Sequence, residues 1–277
     1  MQRALLFLLA TVSFVSAQQP DIFAGGVGNA ASAVGQPAIS PGSWVSIFGT
    51  ELAAGLAEAD TVPISTSLSG IRVLFDEIPA PLLFVSQGQI NAQVPWSVLD
   101  PVAAVRAAEN GMVSVVVERN GVRSVPEDVP VIPSSPGLWT FPSGGIGRAI
   151  VINLDGTLAQ PVGSIEGLVT HPAPIGSTVL VWGTGLGEVT PPIPAGAAPV
   201  NVQPLEVRFT VAQPKVLIDG VEQNTTFSGL ANEFPAVNQM NVIIVQGTPV
   251  GGDLPITVQV DDIVSPPGAT VAISAAI

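Results

Sequence analysis

An internal repeat restricts the fold of this chain more than any other feature. Pro41-Gly42-Ser43-Trp44-Val45-Ser46-Ile47-Phe48-Gly49-Thr50 lines up with Ile175-Gly176-Ser177-Thr178-Val179-Leu180-Val181-Trp182-Gly183-Thr184, 134 residues further on. Val73-Leu74-Phe75-Asp76 then matches Val216-Leu217-Ile218-Asp219, and Gln89-Ile90-Asn91 matches Gln239-Met240-Asn241. Val115–Ser124 matches Ile256–Ser265, with Asp261-Asp262 in the turn place of Asn120-Gly121. Four matches in one order describe a duplicated unit of about 100 residues. Its apolar runs are short, alternate with period two and end at turn residues, so they read as strands. Asn120-Gly121 is a two-residue hairpin signal. The expected architecture is all-β: two tandem immunoglobulin-like β-sandwich domains.

Composition supports strands over helices. Gly (29) and Pro (27) make up about a fifth of the 277 residues, and both are costly inside helices. One stretch, Val98–Asn110, has room for a helical turn or two. With no Cys, disulfides, zinc-thiolate sites and thiol nucleophiles are all excluded. A net charge of −13 argues against nucleic acid as a partner, since phosphate binding needs a basic face.

Residues 1–17, MQRALLFLLATVSFVSA, combine Arg3, an apolar stretch and small residues up to Ala17. That is the pattern of a secretory signal peptide. The protein is therefore expected to be exported to the periplasm, the cell surface or beyond. No later apolar run reaches the roughly 20 residues of a membrane span, so none is expected in the mature chain. Boundaries follow: an extended segment at 18–39, a first sandwich at 40–137, a linker at 138–144 and a second sandwich at 145–277. The stretch Pro191–Pro199, with Pro204, reads as a long exposed loop.

Several blocks resemble a known family. They are Gly25–Ser32, Ile39–Ala53, Pro81–Ser86, Gln89–Trp96 (QINAQVPW), Asn153–Thr157 and Gly183–Gly187. Together they resemble the Solibacter-type C-terminal domain of acidobacterial secreted proteins, itself similar to IPT/TIG immunoglobulin-like domains. Gly28 departs from the pattern, as does the lack of a Gly-rich run before Met240. The resemblance implies the sandwich fold and carries no catalytic residues.

Candidate chemistry is sparse. His171 is the only imidazole, and no Gly-x-Ser-x-Gly elbow accompanies it. Gly183-Thr184-Gly185-Leu186-Gly187 lacks the helix that a dinucleotide site needs and reads as a tight bend. The acidic pairs Asp76-Glu77, Glu127-Asp128 and Asp261-Asp262 supply too few oxygens locally for calcium. No catalytic residue, metal site or cofactor is expected. Trp44 and Trp182 are expected to pack in the cores. Trp96 and Trp139 are candidate exposed rings for stacking on sugars or anchoring a protein. Asn91 and Gln93 either join them or pair with backbone at a sheet edge or domain interface. These readings describe a non-enzymatic binding, adhesion or structural module for an unknown protein or glycan. The alternatives are a carbohydrate-binding accessory module with Trp96 and Trp139 in one groove, or a surface component that self-associates through residues 18–39.

Overall fold

The computed structural model describes residues 18–32, 38–100 and 110–276. The signal-peptide reading of residues 1–17 therefore lies outside the described residues, as does 101–109 of the candidate helical stretch. At the start of that stretch, Trp96–Leu99 forms a short 3-10 helix that takes in Val98 and Leu99.

Ten strands build the first sandwich: β1 (Asp21–Asn29), β2 (Trp44–Thr50), β3 (Ala57–Glu58), β4 (Ile71–Phe75), β5 (Ile78–Pro79), β6 (Leu82–Val85), β7 (Gln89–Gln93), β8 (Met112–Arg119), β9 (Val122–Arg123) and β10 (Glu127–Pro130). One sheet runs β1-β2-β7-β6-β3 and the other β10-β8-β4-β5, with β9 on β8. In the second sandwich come β11 (Gly137–Leu138), β12 (Thr140–Phe141), β13 (Gly147–Ala149), β14 (Val151–Asn153), β15 (Ala173–Pro174), β16 (Thr178–Thr184), β17 (Val189–Thr190) and β18 (Phe209–Thr210). They are followed by β19 (Lys215–Ile218), β20 (Val221–Glu222), β21 (Asn224–Leu230), β22 (Asn238–Ile243), β23 (Gly251–Val260), β24 (Ile263–Val264) and β25 (Ala269–Ser274). Its sheets run β11-β16-β22-β21-β18-β17 and β12-β13-β25-β23-β19-β20. The all-β, two-sandwich fold is as expected.

Alternation places one core inside each sandwich. Val45 and Ile47 of β2, Ile90 of β7 and Val113, Val115 and Val117 of β8 meet in the first core. Val179 and Val181 of β16, Met240 of β22 and Ile256, Val258 and Val260 of β23 meet in the second. Each such side chain contributes about 1.5–3 kcal/mol when fully buried, and in a chain without Cys this packing replaces covalent staples.

The repeat is reproduced at the level of single hydrogen bonds. Ser124 Oγ accepts from Val117 N at 3.0 Å, as Ser265 Oγ does from Val258 N. Ser43 Oγ donates to the Ser40 carbonyl at 2.7 Å, as Ser177 Oγ does to that of Pro174. Asn120 (φ 50°) and Gly121 (φ 83°) form the expected left-handed hairpin turn.

Three boundary readings change. Residues 21–29 are not a free arm: they pair with β2, through a register shift between Ile22 and Val27. Their pairing with β2 uses one edge of β1, which stands at the end of the sheet. Residues 138–144 are not a spacer either, since β11 pairs with β16 and β12 with β13. The Pro-rich loop is largely covered: Ile193, Ala197, Ala198 and Pro199 are buried. It folds onto the first sandwich, where Ile64 N donates to the Gly196 carbonyl at 2.8 Å.

Candidate functional site

The sequence candidates separate into two places. Gln93, 1% exposed, belongs to a seam between the sandwiches. Its Oε1 accepts from Gly196 N at 2.5 Å, and its Nε2 donates to the Gly42 carbonyl at 3.3 Å. Trp96 packs against Val189, Ile193, Ala197 and Leu230 of the second sandwich. Its ring covers Gly42 (φ +72°) so closely that any Cβ there would fall inside it. A space of about 200 Å³ remains beside it, lined by Glu188, Val189, Pro192 and Ile193. Trp139 sits in a different cluster, with Trp44, Ile64 and Ala236, and donates its indole N–H to the Gly183 carbonyl at 3.1 Å. Trp96 and Trp139 therefore do not line one groove.

Trp44 departs from the core expectation in the same way. It is 4% exposed but faces the seam, where its indole donates to the Pro235 carbonyl at 2.8 Å. Its backbone N donates to Thr184 Oγ1 at 3.0 Å, and that hydroxyl donates onward to the Ala236 carbonyl at 2.9 Å. Asn29 Nδ2 donates to the Ser135 carbonyl at 2.6 Å beside them. The Gly183–Gly187 bend is packed here too: a Cβ on Gly185 would collide with the Ser135 carbonyl. Buried polar groups so satisfied fix one domain arrangement.

Among the described residues, the His171 ring meets Asp155, the Pro172 carbonyl and Asn153, and no hydroxyl nucleophile. Its Nε2 lies 2.8 Å from Asp155 Oδ2 and its Nδ1 3.0 Å from the Pro172 carbonyl. Two oxygen acceptors suit an imidazolium, which donates from both nitrogens. The Asp155 bond, then the Pro172 carbonyl, raise the His171 pKa above its ordinary 6.5. The hydrogen bonds from His171 and Thr157 hold the Asp155 carboxyl well below the usual range. The pair joins two surface segments. Among the described residues, no three His, Cys, Asp or Glu side chains gather as metal ligands would.

Asn91, two residues before Gln93, shares the outer face of β7 with it and is half-buried there. There the two sandwiches carry one constellation twice. Phe48 stands opposite Gln89 and Phe84 opposite Asn91. Trp182 stands opposite Gln239 and Phe227 opposite Asn241. In each unit the Gln Nε2 donates to the Asn Oδ1 at 2.8 Å. In each, a register shift precedes the Phe on the adjoining strand, Leu82/Phe84 and Thr225/Phe227.

The second face is the richer. Trp182 is not core but half-buried on the outside, under Phe234 with ring centroids 5.4 Å apart. Beyond Gln239 the same cross-strand row passes Gly229 to Phe209. Gly229 leaves room for the Phe227 ring, which meets Phe209 edge-on at 5.7 Å. Phe209 is 48% exposed. Trp182 and Phe209 are three strand spacings apart, about 14 Å, with the Gln239–Asn241 pair between them. Lower down, a cleft of about 510 Å³ opens between Lys215, Glu222, Gln223, Asn224 and Thr225. Sequence reasoning missed Trp182, Phe209, Phe227 and Phe234. The visible signal was phase: Trp182 alternates with Val179 and Val181, which own the core side.

No family model and no curated protein matches the chain. Among solved structures it is similar to the surface glycan-binding protein PbSGBP-B from Prevotella bryantii, at 10% identity over 90% of this chain and 41% of that one, TM-score 0.27. It is similar to a Gamma-CGTASE from Alkalophilic bacillus clarkii, at 12% identity over 96% and 29%, TM-score 0.28. Tandem Ig repeats of Dlar are similar at 11% identity over 94% and 100%, TM-score 0.20. The chain thus spans under half the length of the first two. Likenesses this distant argue no shared activity. No helix among the described residues is long and apolar enough to cross a membrane.

Proposed function

We propose that this is an exported, non-enzymatic binding protein, related to the acidobacterial secreted-domain family, that holds a neutral glycan on the outer face of its second sandwich. One observation carries the reading: Trp182, Phe209 and Phe227 flank a fixed amide pair on an outward sheet surface. Aromatic rings stack on the apolar C–H faces of sugar rings. The Gln239-to-Asn241 bond orients both amides, leaving Gln239 Oε1 to accept and Asn241 Nδ2 to donate. A pair of vicinal hydroxyls can donate to the one and accept from the other.

The ligand is uncharged because the face is. Trp182, Gln239, Gly229, Phe209, Leu180, Asn241 and Phe227 include no ionisable group, in a chain of net charge −13. A polyanion would find no cation here and repulsion from the rest of the surface. The signal-peptide pattern of residues 1–17 supports export.

The test is affinity gel electrophoresis of residues 18–277 in gels carrying xyloglucan, mixed-linkage β-glucan, galactomannan or starch. At least one neutral polymer is expected to retard the protein. Trp182→Ala should weaken that binding tenfold or more, about 1.4 kcal/mol, as for a buried aromatic anchor. Trp139→Phe should leave it unchanged, because that ring serves the seam. Wild-type protein that no neutral glycan retards would end the glycan reading.

A further inference from the structure

We propose that the outer face of the first sandwich is a second subsite for the same glycan chain, so that one long chain lies across both sandwiches. The inference rests on the reading of the second face given above. Phe48, Gln89, Asn91 and Phe84 hold the register positions of Trp182, Gln239, Asn241 and Phe227. The amide bond is the same in length and direction, 2.8 Å from Gln Nε2 to Asn Oδ1. The Gln89 Oε1 and the Asn91 Nδ2 remain to meet hydroxyls, as their counterparts do.

The face is open. Phe48 is 37% exposed, and at Gly28, opposite Ser46 on the flanking β1, nothing lies within 4 Å of where a Cβ would be. Its charged neighbours are acidic, Glu58 opposite Phe84 at one edge and Asp21 opposite Thr50 at the other, which again favours a neutral chain over an acidic one.

The seam brings the two faces together. Trp44, four residues from Phe48 on β2, donates its backbone N–H to Thr184, two residues from Trp182 on β16. At strand rise, Phe48 and Trp182 lie within roughly 25–30 Å of each other along that path. Because the seam is hydrogen-bonded and buried, the spacing is set in advance. A chain held at one face is then presented to the other at high effective concentration.

The experiment is isothermal titration calorimetry with the polymer that retards the wild type and with its oligosaccharides, short enough to cover one face. Wild-type protein is expected to bind the polymer at least tenfold more tightly than the oligosaccharide. Phe48→Ala with Asn91→Ala should remove that advantage and leave oligosaccharide affinity unchanged. Phe48→Ala alone, which deletes no hydrogen bond, should move in the same direction. Trp182→Ala should weaken both ligands. If the double variant, with an unchanged melting profile, binds polymer as the wild type does, the second subsite is overturned while the Trp182 reading stands. Wild-type protein that binds neither ligand overturns both readings. A wild-type dimer in sedimentation, dissolved by the Phe48 and Asn91 substitutions, assigns the face to a second copy and likewise overturns the proposal.

Discussion

The turn before β2 and the turn before β16 are built alike and used differently. Each has a glycine in the left-handed region, Gly42 (φ 72°) and Gly176 (φ 90°), followed by a serine that locks back onto the chain. Gly176 has open space where a Cβ would go, whereas Gly42 lies under the Trp96 ring. The same contrast runs along the strands. Gln93 closes the seam, yet its counterpart Ile243 does not; Phe48 is small and exposed where Trp182 is large and capped by Phe234. Duplication therefore kept the local construction, and domain packing decided which copies became structural. Residues on the outer faces were left to diverge toward a surface role.

That comparison makes graded predictions. Gly42→Ala should cost roughly 2–5 kcal/mol, summing left-handed strain with overpacking against Trp96. Gly176→Ala should cost only the strain, about 1–2 kcal/mol. Chemical denaturation of both variants checks this, and equal losses would remove the distinction between the turns. Ser124→Ala and Ser265→Ala should each cost about 1–3 kcal/mol by orphaning the N–H of Val117 or Val258. These two losses should match, since the hairpins do; a twofold mismatch would break the claim that the construction is conserved.

The smallest effect belongs to a feature that only the second sandwich has. His171 should titrate above 6.5, and Asp155→Asn should return it toward 6.5, as followed by imidazole proton shifts. The signs follow from linkage. A raised histidine pKa supports the fold below 6.5, and that support fades as pH rises through the raised value. Asp155, with its pKa lowered, supports the fold above 3.8 and loses that support in stronger acid. The pair is largely solvent-exposed, so melting temperature should shift little between pH 6 and 9.

Much of the fold was legible in the chain because β-structure advertises itself locally. Period-two alternation in Ile71–Phe75 and Gln89–Gln93, and the turn at Asn120-Gly121, need no knowledge of distant residues. The seam was not legible, because which outward residues become covered depends on how two units meet. Trp96 and Trp139 follow strands in Pro-containing segments and so look exposed. The clue was the run of small residues Pro194-Ala195-Gly196-Ala197-Ala198, which allows a backbone to approach closely, as at Gly196 beneath Gln93. The amide half of the site was legible, since Gln-x-Asn recurs in both repeats. Its aromatic half required the register to show that Trp182 faces outward.

The four tryptophans report on different parts of the molecule. Three of the four, Trp44, Trp96 and Trp139, belong to the seam, and only Trp182 stands directly opposite a residue of an amide pair, Gln239. Nitrogen-15 spectra resolve four indole N–H signals, assignable by Trp→Phe substitution. Titration with the binding oligosaccharide should shift the Trp182 indole and the Gln239 and Asn241 side-chain amides, and leave the other three indoles in place. Movement of the Trp96 or Trp139 signals with Trp182 unmoved would contradict the account and place the site in the seam.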